Sequence, residues 1–317
     1  MARFLLTRIL ASVVLLLVVS FIIFSFIAIA PGSPETVLLG GHDVSQEQID
    51  SIRARYHLDE SFLTQYRIWL GNVLKGDFGE SIASQAPVSD VIKPKIVPTL
   101  ELAAYAGVLI VIFGFGAGVV AAVKRGTFLD TLISGGMLVG ASIASYVSGL
   151  VLIVVFADRL GWFPVFGLGD GSIGDRLYHL TLPAIALALL LCAFVGRITR
   201  ASMIDALELE YVETARSRGM TERIVVLRHA LRSALVPIVT VGALTTGYLI
   251  TGAVIVEFTF GLNGLGGQLI TSIQNKDFAV VQAIALLFTA VFIIVNLVAD
   301  LLYMVIDPRV RVGTRVA

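Results

Sequence analysis

The chain has 317 residues, of which 57% are hydrophobic and 15% charged, with 23 basic and 23 acidic side chains. Soluble chains are about 45–50% apolar and about 25% charged, so this balance excludes an ordinary soluble protein and identifies an integral membrane protein. The one cysteine, Cys192, excludes an intrachain disulfide, and His42, His57, His179 and His229 lack metal-ligand spacing.

Residues 9–30 carry no charge over 22 positions, about 33 Å as a helix, which matches a hydrocarbon core. Ala28-Ile29-Ala30 has the small-x-small form of a signal cleavage site. The run exceeds an h-region of about 7–15 residues and Pro31 would follow the cut, so a retained membrane helix is expected.

Residues 31–97 form an expected extracytoplasmic helical segment. Pro31, Gly32 and Pro34 end the first span. Ser45-Gln46-Glu47-Gln48 fits a capping box ahead of Ile49, Ile52 and Tyr56 at helical spacing. A second amphipathic helix puts Phe62, Tyr66, Trp69, Leu70 and Val73 on one face and stops near Gly76. These helices are expected to lie against the membrane domain, with Tyr66 and Trp69 at the interface. They serve either packing and topology or the reception of a delivery protein.

Pro94 and Pro98 are expected to break the chain before the second uncharged run, 102–123. Gly114, Gly116 and Gly118 spell GxGxG, but no strand precedes them, so they read as small-residue helix packing through Gly114 and Gly118. Gly136 and Gly140 read the same way. The third run, 131–157, spans with tilt. A Gly- and aromatic-rich loop, 158–179, precedes the shorter run 180–196, with Pro183 in its first turn, where proline is tolerated. The fifth run is 233–256, with Pro237 near its start, and the sixth is 278–299. Between them, Glu257 and Phe258 lead into a glycine-rich loop holding Gly264, Gly266 and Gly267. Glu257, Phe258, Gly264 and Gly266 read as an outer gate or binding-protein contact; for Glu257 the alternative is a solvated helix end. Asp300, late in the sixth run, reads as a structural pair rather than a solute contact.

Between the fourth and fifth runs the chain changes character. From Arg197 to Arg232 it carries seven Arg and five Asp or Glu. At about 2.5–3.5 kcal/mol per charge, burying this stretch in lipid would cost roughly 30–40 kcal/mol, so it stays in water. A helix is expected over 208–217, with Glu213 and Arg216 at i,i+3. Gly219 stops it with a left-handed cap, and Thr221 caps a second helix that feeds into the membrane. The hairpin either enters a groove on a partner or hugs anionic lipid.

Six spans give an all-α membrane protein with both termini on one side. Fourteen of the 23 Lys and Arg lie in 1–8, 124–130, 197–232 and 305–317, a far shorter length than the opposite segments. The termini and the hairpin are therefore expected in the cytoplasm.

Glu213-Thr214-Ala215, then Gly219, then Leu235-Val236-Pro237 resembles the Glu-Ala-Ala loop of binding-protein-dependent ABC transporter permeases, the type I importers. Thr214 stands at the motif's second position in place of alanine and Val236 intervenes before Pro237, as in the dipeptide/oligopeptide branch. Further motifs agree with that branch: Ala30-Pro31-Gly32, Tyr56-His57-Leu58-Asp59, Gln65-Tyr66, Trp69-Leu70 and Gly76-Asp77-Phe78-Gly79. So do Val256-Glu257 with Gly264-Leu265-Gly266, and Asp300-Leu301-Leu302-Tyr303 with Asp307-Pro308-Arg309. Ser33 stands where the family often has Asp. The resemblance runs nearly end to end.

The resemblance implies a multi-pass permease subunit of a bacterial or archaeal plasma membrane, importing di- or oligopeptides. Its divisions are an N-terminal transmembrane helix, 1–30; the segment 31–97; a permease domain, 98–304, with a coupling loop at 201–233; and a tail, 305–317. Glu213, Thr214, Ala215 and Gly219 would engage the ATPase. The implied partners are a second related permease in a heterodimer, two ATP-binding subunits, an extracytoplasmic binding protein, the peptide and the bilayer, with no nucleic acid. The chain has no GxxxxGK[ST], so it is no enzyme itself and holds no cofactor; the partner ATPases would bind ATP-Mg. The alternatives are another solute, such as nickel chelates or glutathione, or an ATP-independent secondary transporter, against which the spans show no inverted repeat.

Overall fold

The computed structural model describes residues 2–29, 59–169 and 171–306. The expected capping box at Ser45, the Ala30-Pro31-Gly32 motif and the tail from Asp307 lie outside them. Among the described residues every named element is a helix. Five helices are long and apolar enough to cross a membrane, or six if one bent pair counts as a single span. The described residues divide into two compact units, one of 2–29, 59–100 and 262–293, the other of 101–169, 171–261 and 294–306.

In the first unit, α1 (Ala2–Ile29) is met by α2 (Phe62–Leu74). Ser61 caps α2 by accepting the Thr64 N–H, and Gly76 ends the turn beyond it at φ 85°. The apolar face read from the sequence packs on α1. Tyr66 Oη lies 2.8 Å from Ser20 Oγ, and its ring meets Phe21 and Phe24 edge-on or tilted. Trp69 packs on Phe24. Tyr66 and Trp69 thus turn toward a neighbouring helix. A small core of Val88, Ile92, Leu265, Val280 and Ile284 joins the start of α3 (Val88–Leu109) to α11 (Leu265–Gln274) and α12 (Phe278–Ile306).

Pro94 and Pro98 lie inside α3 and do not break it. Proline persists within a membrane helix where other groups take over the freed backbone sites. Thr99 Oγ1 donates to the Lys95 carbonyl at 3.3 Å and accepts the Leu265 N–H at 2.8 Å. Pro183 likewise sits well inside α7 (Ile173–Leu207), because that helix starts seven residues earlier than the uncharged run.

In the second unit α7 is the hub. A π-helical turn (Ile110–Phe115), α4 (Gly116–Val123), α5 (Phe128–Ser142), α6 (Ser145–Leu152) and α10 (Leu231–Thr259) all pack on it. The expected glycine packing is present at Gly114 and Gly118. A Cβ on Gly114 would sit 3.0 Å from Cys192 Cα, and one on Gly118 would sit 2.6 Å from the Gly196 carbonyl oxygen. Gly140 makes ordinary contact with Ala193, but Gly136 faces open space, so the second glycine pair is no close crossing.

The third run does not tilt as one rod. It breaks between α5 and α6 with a bend of 102°. Ile143 and Ala144 are both extended, at φ −105° and −66°. Irregular backbone at membrane depth must be covered or wet. Here the buried Ser148 just past the corner donates to the carbonyls of Ser145 at 2.9 Å and Ala186 at 3.3 Å, tying it to α7.

Candidate coupling site

The polar stretch forms the expected helix–turn–helix. α7 ends at Leu207, Glu208 caps it, and Leu209 turns extended at ψ 137° before α8 (Glu210–Ser217). Gly219 adopts φ 77°, the left-handed region that disfavours a Cβ. Its N–H bonds the Arg216 carbonyl at 2.9 Å, and the Met220 N–H reaches back to the Ala215 carbonyl at 3.3 Å. This pair of bonds is a left-handed helix stop, formed at the residue the sequence marked.

The second arm begins with α9 (Glu222–Ile224), passes through a π-helical turn (Val225–Ala230) and continues into α10. Thr221 is extended at the N-cap position, but its side chain makes no capping bond. The expected Glu213–Arg216 pairing is replaced by a longer reach. Arg216 Nη2 and Nε donate to the two Glu222 carboxylate oxygens at 2.7 and 3.2 Å. This fork raises the guanidinium pKa above its ordinary value, chiefly through the hydrogen bonding.

The two arms share a small core. Val212, Ala215 and Val225 are buried together, with Leu207 packed beside them. Tyr211 Oη lies 2.6 Å from Ser233 Oγ and donates to the His229 carbonyl at 3.3 Å. The four residues expected to engage the ATPase therefore separate. Ala215 is 5% exposed and points into the hairpin, whereas Glu213, Thr214 and Gly219 are exposed. The Thr214 hydroxyl bonds the Glu210 carbonyl at 2.9 Å, and Glu210 and Glu213 are both exposed on α8. Leu209, Tyr211, Met220, Ile224 and Leu227 add exposed apolar surface to the hairpin.

The residues read as an outer gate fall differently. Glu257 is 1% exposed, so it is no solvated helix end; Phe258 beside it is 52% exposed. Gly264 and Gly266 belong to the other unit. They do not form a loose loop. Gly264 precedes α11 in an extended conformation and Gly266 is buried in its first turn. A Cβ on Gly267 would sit 3.0 Å from the Leu262 carbonyl oxygen, so glycine permits a tight turn there.

One surface was not read from the sequence. Thr240, Leu244, Tyr248, Thr251, Ile255 and Phe258 recur every three or four residues along α10, and all are exposed. Such spacing places them on one helix face. Tyr248, 61% exposed, puts a phenol near the middle of the fifth apolar run. Lipid-facing tyrosines gather instead at the membrane–water interfaces. Also on α10, Ile238, Gly242 and Thr245 help line an apolar groove of about 410 Å³ with Ile110, Phe115 and Val298.

Comparison with known proteins follows the same lines. Residues 114–312 match the family described as "Binding-protein-dependent transport system inner membrane component", and residues 1–103 match its N-terminal membrane component model. The chain is 38% identical over 311 residues to the glutathione transport system permease protein GsiC of Escherichia coli (strain K12), covering 98% of this chain and 99% of that protein. The GsiC of Shigella dysenteriae serotype 1 (strain Sd197) is equally similar. Among solved structures, a chain of the MetNI methionine ABC transporter has the same fold, with TM-score 0.58 and 17% identity over 68% of this chain and 96% of that one. The chain belongs to the binding-protein-dependent inner membrane components: it is a multi-pass permease subunit of an ABC importer, non-catalytic itself and dependent on an ATPase and a substrate-binding protein.

Proposed function

We propose that this permease imports short peptides and that α8 with the Gly219 turn, within the coupling loop 201–233, is the element its ATPase engages. The observation that carries the coupling role is the division of labour within α8. Val212 and Ala215 hold the hairpin together from inside, and Glu213 and Thr214 stand on its outer surface. A surface-hugging loop needs no such fixed turn, whereas a helix seated in a partner's groove does. Charge distribution supports a cytoplasmic position for the hairpin and both termini. Within this reading ATP-Mg binds to the partner ATPases, and the chain is divided into 1–30, 31–97, 98–304 and 305–317.

The exposed face of α10 bearing Tyr248 contributes to the translocation path, opposite a second, related permease subunit. Glu257 and Phe258 lie at the outer end of the same helix and gate it. The peptide class rests on the end-to-end resemblance to the dipeptide and oligopeptide branch. A second reading, favoured by the name of the relatives, makes glutathione the solute; glutathione is itself a tripeptide, so the two differ in breadth rather than in chemistry.

The test is uptake into proteoliposomes holding the permease pair, its ATPases and its binding protein. Labelled di-, tri- and tetrapeptides and reduced glutathione are compared, with and without ATP. ATP-dependent uptake of several peptides supports the proposal. Uptake of glutathione alone selects the second reading, and uptake of neither overturns both.

A further inference from the structure

The short connection between α4 and α5 grips the end of α7 at two points. The first is buried on its Asp130 side and half-buried on its Arg200 side. Arg200 on α7 donates Nε to Asp130 Oδ1 at 2.7 Å and Nη2 to Oδ2 at 2.8 Å, and the Asp130 side chain is 7% exposed. The Gly126 N–H bonds Oδ2 at 3.0 Å and the Ser134 hydroxyl bonds Oδ1 at 3.2 Å, so both carboxylate oxygens are satisfied. Thr127 caps α5 by accepting the Asp130 N–H at 3.4 Å, which fixes the backbone that carries the carboxylate. The second point is exposed: Arg125 pairs with Glu208, the residue that caps α7 immediately before the hairpin.

The two pairs have opposite sense. The connection supplies Arg125 and Asp130, and α7 supplies Glu208 and Arg200, about 12 Å apart along the helix at 1.5 Å per residue. If the connection approached α7 the other way round, Arg125 would face Arg200 and Asp130 would face Glu208. Direction and register are therefore specified by charge. Stability alone does not call for this device. A buried ion pair recovers little beyond its desolvation cost, and an exposed one contributes little. Opposed charge pairs are better suited to holding one register.

We infer that Asp130, Arg200, Arg125 and Glu208 form a clamp that passes movement of the coupling hairpin to the second and third spans. This rests on the proposal that the ATPase engages the hairpin. Only Glu208 and Leu209 separate α7 from α8, so a pull on α8 reaches Glu208 and Arg200 first. α4 ends at Val123 and α5 starts at Phe128, so the clamped connection joins two membrane helices at once. The four side chains are positioning residues and touch no solute.

The experiment uses the assembled transporter in proteoliposomes and measures ATPase co-purification, ATP hydrolysis and solute moved per ATP. Asp130→Asn and Arg125→Glu are expected to retain the ATPase and to continue hydrolysis. Solute moved per ATP is expected to fall at least fivefold for Asp130→Asn and at least twofold for Arg125→Glu. Adding Glu208→Arg to Arg125→Glu is expected to restore the ratio to within twofold of the starting protein, a rescue that a merely structural role at one residue would not give. An unchanged ratio in both single variants overturns the clamp. If Asp130→Asn fails to assemble, Arg125→Glu decides alone, since both partners of that pair are exposed. Loss of the clamp proposal is distinct from loss of the coupling reading, which falls if Glu213→Lys leaves ATPase co-purification intact; the clamp then falls with it.

Discussion

Arg216 reaches over the Gly219 turn and holds both oxygens of Glu222, at 2.7 and 3.2 Å. The fork joins the end of α8 to the start of α9 and fixes the angle between the arms. Both side chains are about half exposed, at 41% and 54%, so the fork contributes no more than about 1 kcal/mol. The larger constraint at this turn is the backbone of Gly219.

That constraint gives the first expectation. A Cβ on Gly219 meets no atom within 4 Å, so the cost of Gly219→Ala is conformational, about 1–2 kcal/mol for a left-handed alanine. Expressed as hairpin geometry, this weakens ATPase binding by about 5–30-fold. Gly219→Asn is expected to lose less, because asparagine tolerates the same region. Titration of detergent-solubilised permease with purified ATPase reads both. Equal binding by all three proteins would remove the turn from the coupling mechanism.

The second expectation separates neighbours on one helix. Glu213→Lys leaves the hairpin folded and abolishes ATPase association. Ala215→Leu overfills the contact with Val212 and Val225 and costs about 1–3 kcal/mol of local stability. Limited trypsin digestion distinguishes them: cleavage at Arg216 and Arg218 accelerates in Ala215→Leu and is unchanged elsewhere in the hairpin by Glu213→Lys. The reverse pattern would exchange their roles.

A third expectation concerns the helix crossing. Gly118→Val drives a side chain into the Gly196 carbonyl and the Thr199 side chain, at a cost of about 1–3 kcal/mol or more. Gly136→Ala meets open space and gains helix propensity, about 0.5–1 kcal/mol. Thermal melts of the purified permease should fall for the first and hold or rise for the second.

A fourth expectation addresses the α10 face. Tyr248→Ala is expected to leave ATPase association intact and to weaken solute transport about two- to tenfold, the range of one lost aromatic contact. Competition among peptides with and without aromatic side chains reads the change in preference. Unchanged uptake and preference would place this face against lipid or the partner subunit.

Glu257 supplies a fifth. It is buried at 1% exposure, so Glu257→Lys places a misfit charge in a closed site and should abolish uptake. Glu257→Gln, which keeps the shape, tests gating. Normal uptake by the glutamine variant would leave the carboxylate a structural part.

What the sequence made legible followed from strong local physics. Gly219 had to stop a helix, and the charges of 197–232 had to stay in water. The face of Tyr66 and Trp69 was correct, although it packs on α1. The bend at Ile143 and Ala144 was hidden because neither residue is glycine, proline or polar, so hydropathy runs through it unbroken. Asp130 and Arg200 stand 70 positions apart, and no periodicity links them. Ala215 belongs to the motif by resemblance, and the structure buries it inside the hairpin. Its i,i+3 relation to Val212, two apolar residues in a polar helix, was the available signal that it faces inward.

From Glu222 to Thr259 the helix runs as one candidate span of 38 residues. At 1.5 Å per residue that is a rod of about 57 Å, longer than the roughly 30 Å hydrocarbon core it crosses. A rod held at one end magnifies small rotations at the other. Tilting it by about 10° about Glu222 carries Thr259 sideways by about 10 Å, roughly the width of a helix. A small rotation set at the Glu222 end of the rod is therefore read at its far end as a displacement of molecular size.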